Sequence, residues 1–183
     1  VLTDIHLPEQ AEKIGKIVDI IQIPAFLCRQ TDLVLESAKT GKVVNIKKAQ
    51  FLSAGEMLNI IKKVESQNNK NILLTERGTF FGYNNLVVDF KAMAKMKKFN
   101  YPVIFDATHS MQLPGGKGDF SGGEREFMPD LARASVGLGI AGLFMEVHPN
   151  PDEAKSDKTT IYPLDKLEDL IANLVKIDEV VKS

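Results

Sequence analysis

The feature that most constrains this chain is a sixfold alternation of short apolar runs with longer amphipathic stretches. The apolar runs are Val1–Ile5, Val18–Ile23, Lys42–Ile46, Asn71–Thr75, Pro102–Phe105 and Gly142–Met145. They are rich in Val, Ile, Leu and Phe and too short for ordinary helices, which reads as strands buried on both faces. Between them, helices are expected near Glu9–Ile17, Asp32–Thr40, Ala54–Ser66, Leu86–Lys98 and Glu124–Leu138. A last helix is expected over about Leu164–Val181, with Leu167, Leu170, Ile171, Leu174, Ile177 and Val181 on one face. Gly41 reads as a C-terminal cap, and Ser53 with Glu56 three residues on reads as a capping box.

Successive βα units give a parallel sheet, either open or closed into a barrel. The polar residues favour closure. Each strand ends in a group capable of chemistry: Asp4, Gln22, Lys47, Arg77, His109 and Glu146, at intervals of 18, 25, 30, 32 and 37 residues. In a barrel such ends ring one pocket at the C-terminal face, whereas an open sheet would spread them along a crevice. The expected fold is α/β, a (β/α)8 TIM barrel, with residues 1–183 as one catalytic domain. Eight strands close such a barrel, so two further βα units are expected before Val1.

Charge and composition narrow the function. Lys and Arg total 23 against 24 Asp and Glu, a net charge of -1 that gives no reason to expect nucleic acid. No apolar run approaches the roughly 20 residues that cross a bilayer, so no membrane partner is expected. The single cysteine, Cys28, cannot form an internal disulfide, which fits a cytoplasmic protein. It reads as a packed or loop thiol.

Lys47-Lys48 and Arg77 on successive strand ends suit a small polyanion, Arg as a bidentate fork and Lys as a point charge. Arg29, on the loop after the second run, is a third candidate cation. His109, Glu146 and Asp157, on the later loops, could ligate a divalent metal, form a hydrogen-bonded acid–base cluster, or pair within a structural network. The stretch Pro114–Gly123 carries five glycines but no G-x-x-x-x-G-K-[ST] frame, and is expected to cover the barrel mouth. Phe80, Phe81 and Tyr83 could line that mouth or simply pack.

Three stretches resemble one family closely. They are Ile21–Leu33 (IQIPAFLCRQTDL), Glu76-Arg77-Gly78 through Phe81–Val87 (FGYNNLV), and Pro102–Ser110 (PVIFDATHS). They look like the 3-deoxy-D-manno-octulosonate 8-phosphate synthases, and the similarity runs through essentially all 183 residues. The resemblance implies a transferase of the cytoplasm, a barrel that assembles as a homotetramer. It would join phosphoenolpyruvate to D-arabinose 5-phosphate, releasing phosphate, in inner-core lipopolysaccharide synthesis of Gram-negative bacteria. By the same resemblance Lys47 and Arg77 hold phosphoenolpyruvate with Gln22 near it, and Arg29 binds the sugar phosphate beside Phe26. His109, Glu146 and Asp157 surround the reacting centre, which Asp4 helps to order.

Some members use one divalent metal (Zn, Mn or Fe) and others none. His109, Glu146 and Asp157 match three of the ligands, and Ser110–Gly116 looks more like the metal-using members. The family's first two strands, with a Lys-Ala-Asn-Arg-type segment that touches both substrates, are not matched in this chain, so it is expected to be inactive alone. Two alternatives stand beside this reading: the related heptulosonate synthase, which uses erythrose 4-phosphate, and a non-catalytic fragment that only self-associates.

Overall fold

Each of the six apolar runs contains a strand in the computed structural model, which describes residues 1–116 and 122–183. The chain divides into two compact units. One is Val1–Glu76 with Lys91–Val103, the other Arg77–Phe90 with Ile104–Ser183. In both, strands and helices alternate and the long strands pair in parallel, which is the α/β class.

The first unit is built on β1 (Leu2–Asp4), β2 (Ile20–Ile23), β3 (Val43–Lys47) and β4 (Ile72–Glu76), paired in that order. The register sets Asp4 opposite Gln22, Gln22 opposite Asn45, and Lys47 opposite Thr75. Because side chains alternate along a strand, Asp4, Gln22, Asn45, Lys47 and Thr75 share one face. Ile21, Ile23, Val44, Ile46, Ile72 and Leu74 share the other and are almost fully buried. Buried Leu33, Val34 and Ala38 of α2 (Thr31–Lys39) belong to the same core, as do Met57, Ile60, Ile61 and Val64 of α3 (Met57–Glu65). Each buried Val, Leu, Ile or Met among them contributes roughly 1.5–3 kcal/mol.

The local signals behave as expected. Ser53 N–H donates to Glu56 Oε2 at 2.9 Å, completing the capping box. Gly41 has φ +71 after the end of α2, where a side chain would be strained. The stretch expected as a helix over Glu9–Ile17 is instead a short 3-10 turn, Pro8–Gln10, followed by the five-residue helix α1 (Ala11–Gly15). The helix expected from Leu86 begins later, as α4 (Phe90–Lys97).

The reason for that late start lies in the second unit. There β5 (Thr79–Phe80) and β6 (Leu86–Val87) form an antiparallel hairpin. Gly78 turns into it at φ +94, and a Cβ there would lie 2.9 Å from the Leu86 Cβ. Leu86 is thus buried against the turn, and that packing overrides the helical periodicity of its neighbours.

Next come β7 (Val103–Asp106), β8 (Gln112–Leu113), β9 (Gly122–Gly123) and α5 (Met128–Gly137). After them follow β10 (Gly142–Phe144), β11 (Val147–His148), β12 (Tyr162–Pro163) and α6 (Leu167–Lys182). β7 and β10 are parallel, with Asp106 opposite Phe144. The short pair β8·β9 brackets the glycine-rich stretch, of which Lys117–Ser121 and the cover expected there lie outside the described residues. On α6 only Leu170 and Leu174 of the expected stripe are buried, and Ile171 and Val181 are exposed. The helix packs chiefly on α5, and that contact covers a narrower stripe than the sequence offers. Among the described residues no helix is long and apolar enough to cross a membrane.

Candidate functional site

In the first unit the polar face of the sheet carries the candidate groups. Gln22 Oε1 accepts a hydrogen bond from Asn45 Nδ2 at 3.0 Å, and Asn45 Oδ1 accepts from Thr75 Oγ1 at 2.6 Å. All three are buried, as is Lys47 beside them. This ladder fixes the Gln22 amide and keeps polar atoms satisfied inside the protein. Asp4 is more exposed, with one oxygen 4.0 Å from His6 Nε2.

Lys48 points to the opposite face from Lys47. Its Nζ donates to the carbonyls of Ala49 and Leu52, both at 3.2 Å, and lies 3.5 Å from Glu76 Oε2. This ion pair is fully buried. It holds the ends of β3 and β4 at the residues next to Lys47 and Arg77. Phe26 and Arg29 sit on the turn after β2 and are exposed, with Arg29 3.8 Å from Glu56. Cys28, between them, is buried, and desolvation pushes its thiol pKa up, so it is an inert packing group.

The second unit brings His109, Glu146 and Asp157 together. One ligand atom from each lies within 4.8 Å of the others. His109 follows β7 on a 3-10 turn, Glu146 follows β10, and Asp157 lies on the turn before β12. Each is fixed from behind. His109 Nδ1 is 2.8 Å from the buried Asp106 Oδ2, which leaves Nε2, 3.5 Å from Glu146 Oε1, to face the cluster. Asp106 Oδ1 also accepts from the backbone N–H of Thr108 and His109.

Glu146 is held at both backbone ends: its N–H donates to Thr108 Oγ1 at 2.7 Å and its carbonyl accepts from Tyr162 N–H. Asp157 has φ +51, a conformation Asp tolerates better than most residues. Its carbonyl accepts from Thr160 and Ile161 N–H, both at 2.9 Å. A Cβ on Gly123 would lie 2.3 Å from Thr160 Cγ2 and 3.0 Å from the Thr159 carbonyl, so only glycine lets β9 approach this turn.

One nitrogen and two carboxylates, each with a fixed orientation, fit a divalent transition metal such as Zn, Mn or Fe. Arg77, buried, donates from Nη2 to Gln112 Oε1 at 2.6 Å, and Gln112 Nε2 donates to Asp157 Oδ1 at 2.6 Å. Lys48, expected with Lys47 to face a polyanion, is instead turned to the buried Glu76, and Asp106, Gln112, Asn45, Thr75 and Glu76 carry no isolated motif in the sequence. The one available signal was position, since each is within three residues of a strand-end group.

The family model described as the DAHP synthetase I family matches residues 1–183. A 2-dehydro-3-deoxyphosphooctonate aldolase of Cyanothece sp. is 56% identical over 177 residues, 97% of this chain and 65% of its own length. Its namesake in Fusobacterium nucleatum is 53% identical over 182 residues, 100% of this chain and 66% of its own. That of Pseudomonas putida is 55% identical over 183 residues, 100% and 65%. The chain thus spans just under two thirds of the length of these curated relatives.

Proposed function

The chain belongs to the DAHP synthetase I family, and from that premise we propose that it is part of a 3-deoxy-D-manno-octulosonate 8-phosphate synthase. The observation that carries this reading is the identity of 53–56%, over nearly the whole chain, to relatives named 2-dehydro-3-deoxyphosphooctonate aldolase. Those names favour an eight-carbon product over the heptulosonate reading that the family description alone would allow.

In the proposed reaction C3 of phosphoenolpyruvate attacks the aldehyde carbon of D-arabinose 5-phosphate. Water adds at C2, and the C–O bond to phosphate breaks to release inorganic phosphate. Lys47 and Arg77 bind the phosphoenolpyruvate anion, with Gln22 near it, and Arg29 with Phe26 takes the sugar phosphate. With no ion bound, His109, oriented by Asp106, holds or moves a proton at Nε2, while Glu146 and Asp157 orient the incoming water. Asp4 orders the site. One divalent ion held by His109, Glu146 and Asp157 would supply Lewis-acid polarisation of the reacting oxygen. What supports the ion is the convergence of the three side chains and the carboxylate behind His109.

The same proposal includes a cytoplasmic, single-domain (β/α)8 barrel, two of whose βα units lie outside these residues, assembling as a homotetramer in Gram-negative lipopolysaccharide synthesis. A phosphate-release assay on the full-length protein tests the function. Release that requires phosphoenolpyruvate and arabinose 5-phosphate together supports it. Release with erythrose 4-phosphate instead would move the chain to the heptulosonate reading, and none with either sugar would favour a non-catalytic role.

A further inference from the structure

We infer that Gln112 is a positioning residue: its amide joins Arg77 to Asp157 while keeping the two charges apart. The inference rests on the proposed function, in which Arg77 holds an anion and Asp157 helps to hold a divalent cation. Arg77 Nη2 donates to Gln112 Oε1, and Gln112 Nε2 donates to Asp157 Oδ1, each at 2.6 Å.

The chemistry of the connector follows from its partners. A guanidinium can only donate and an ionised carboxylate can only accept, so a side chain placed in series between them must accept at one end and donate at the other. An amide does both without charge. A carboxylate at position 112 would neutralise Arg77 and repel Asp157. An apolar side chain would take an acceptor from the buried Arg77 and a donor from Asp157, and would put nothing polar between their opposite charges. Direct pairing would draw the cation away from its anion and the carboxylate away from its metal. The neutral amide therefore preserves both charges for ligands.

Gln112 is itself well anchored. It follows the 3-10 turn that carries His109, and its Cα pairs with Gly123 in the β8·β9 ladder. Met111 just before it is buried, and its carbonyl accepts from Glu124 N–H. One short segment thus presents His109 to the cluster and ties Arg77 and Asp157 to the same base.

The test uses the full-length protein and two variants, Gln112→Met and Gln112→Glu. Phosphoenolpyruvate binding is measured by calorimetry without metal, and Mn²⁺ binding without phosphoenolpyruvate; thermal unfolding monitors the fold. Gln112→Met is expected to weaken both by roughly 10–100-fold with little change in unfolding temperature. Gln112→Glu is expected to weaken phosphoenolpyruvate at least as much, because its charge compensates Arg77. Wild-type affinity for both ligands in Gln112→Met, or for phosphoenolpyruvate in Gln112→Glu, would overturn the inference. So would losses that merely follow a fall in unfolding temperature. Wild-type protein that binds neither ligand would overturn the proposed function, whereas binding that is indifferent to position 112 removes only the role of Gln112.

Discussion

His109 Nδ1 lies 2.8 Å from a carboxylate oxygen of Asp106, three residues earlier and fully buried. That contact fixes the imidazole tautomer, so the lone pair on Nε2 points toward Glu146 and Asp157. Asp106→Asn keeps the size of the side chain and can still accept from the Thr108 and His109 amides through its carbonyl. Its amide nitrogen cannot accept the Nδ1 proton. The substitution should lower kcat and Mn²⁺ affinity by roughly 10–100-fold with the fold retained. Wild-type kinetics and metal affinity in Asp106→Asn would show that the carboxylate plays no orienting part.

Arg77→Ala removes a charge-assisted contact worth roughly 1.5–3 kcal/mol. The full-length variant should bind phosphoenolpyruvate about 10–100-fold more weakly by calorimetry. An unchanged dissociation constant would take Arg77 out of the anion site.

The Lys48–Glu76 pair lies on the opposite face of the sheet from Lys47, with both side chains fully buried. Lys48→Met removes the cation paired with the buried Glu76 and should cost about 3–5 kcal/mol in urea unfolding. Adding Glu76→Leu should recover most of that loss, since an apolar pair can replace a buried ion pair. A single variant as stable as the wild type would mean that water or another group reaches Glu76.

Gly123→Ala puts a methyl group 2.3 Å from Thr160 Cγ2, too close for either strand segment to stay where it is. The turn bearing Asp157 must move, at a cost of about 1–3 kcal/mol. Mn²⁺ affinity should fall more than phosphoenolpyruvate affinity, because the displaced turn carries a proposed metal ligand. Equal effects on both would point to general loosening instead.

Tyr101 donates to Glu65 Oε1 at 2.7 Å, and burial, followed by that contact, pushes its pKa from 10.0 up to about 12. The folded phenol keeps its proton to higher pH than the unfolded one. Its contribution to stability is therefore complete below the unfolded value of 10.0 and is lost as pH rises through about 12. Stability measured across that window should fall more steeply in the wild type than in Tyr101→Phe. Identical slopes would assign the alkaline loss to other groups.

What was legible in the sequence was local. Gly41 and the Ser53–Glu56 box work within a few residues, so their chemistry is written where it acts. The strands were legible because residues buried on both faces leave continuous apolar runs. Leu86 and Val87 were misread because their place is set by Gly78, eight residues back, and not by their own periodicity. Ile171 and Val181 continue the helical stripe of α6 but stay exposed, because the stripe is wider than the surface it packs on. His109, Glu146 and Asp157 could be named as candidates, yet their convergence depends on three loops folding to one point. Gln112 could not be singled out: an amide shows its function only when both its partners are in place.

The most direct measurement of the central claim is the mass of the product made by the full-length protein from phosphoenolpyruvate and arabinose 5-phosphate. The expected product is an eight-carbon 3-deoxy sugar acid that keeps the sugar phosphate, formed in step with one inorganic phosphate. A seven-carbon acid made only from erythrose 4-phosphate, or phosphate release without a new carbon–carbon bond, would contradict it.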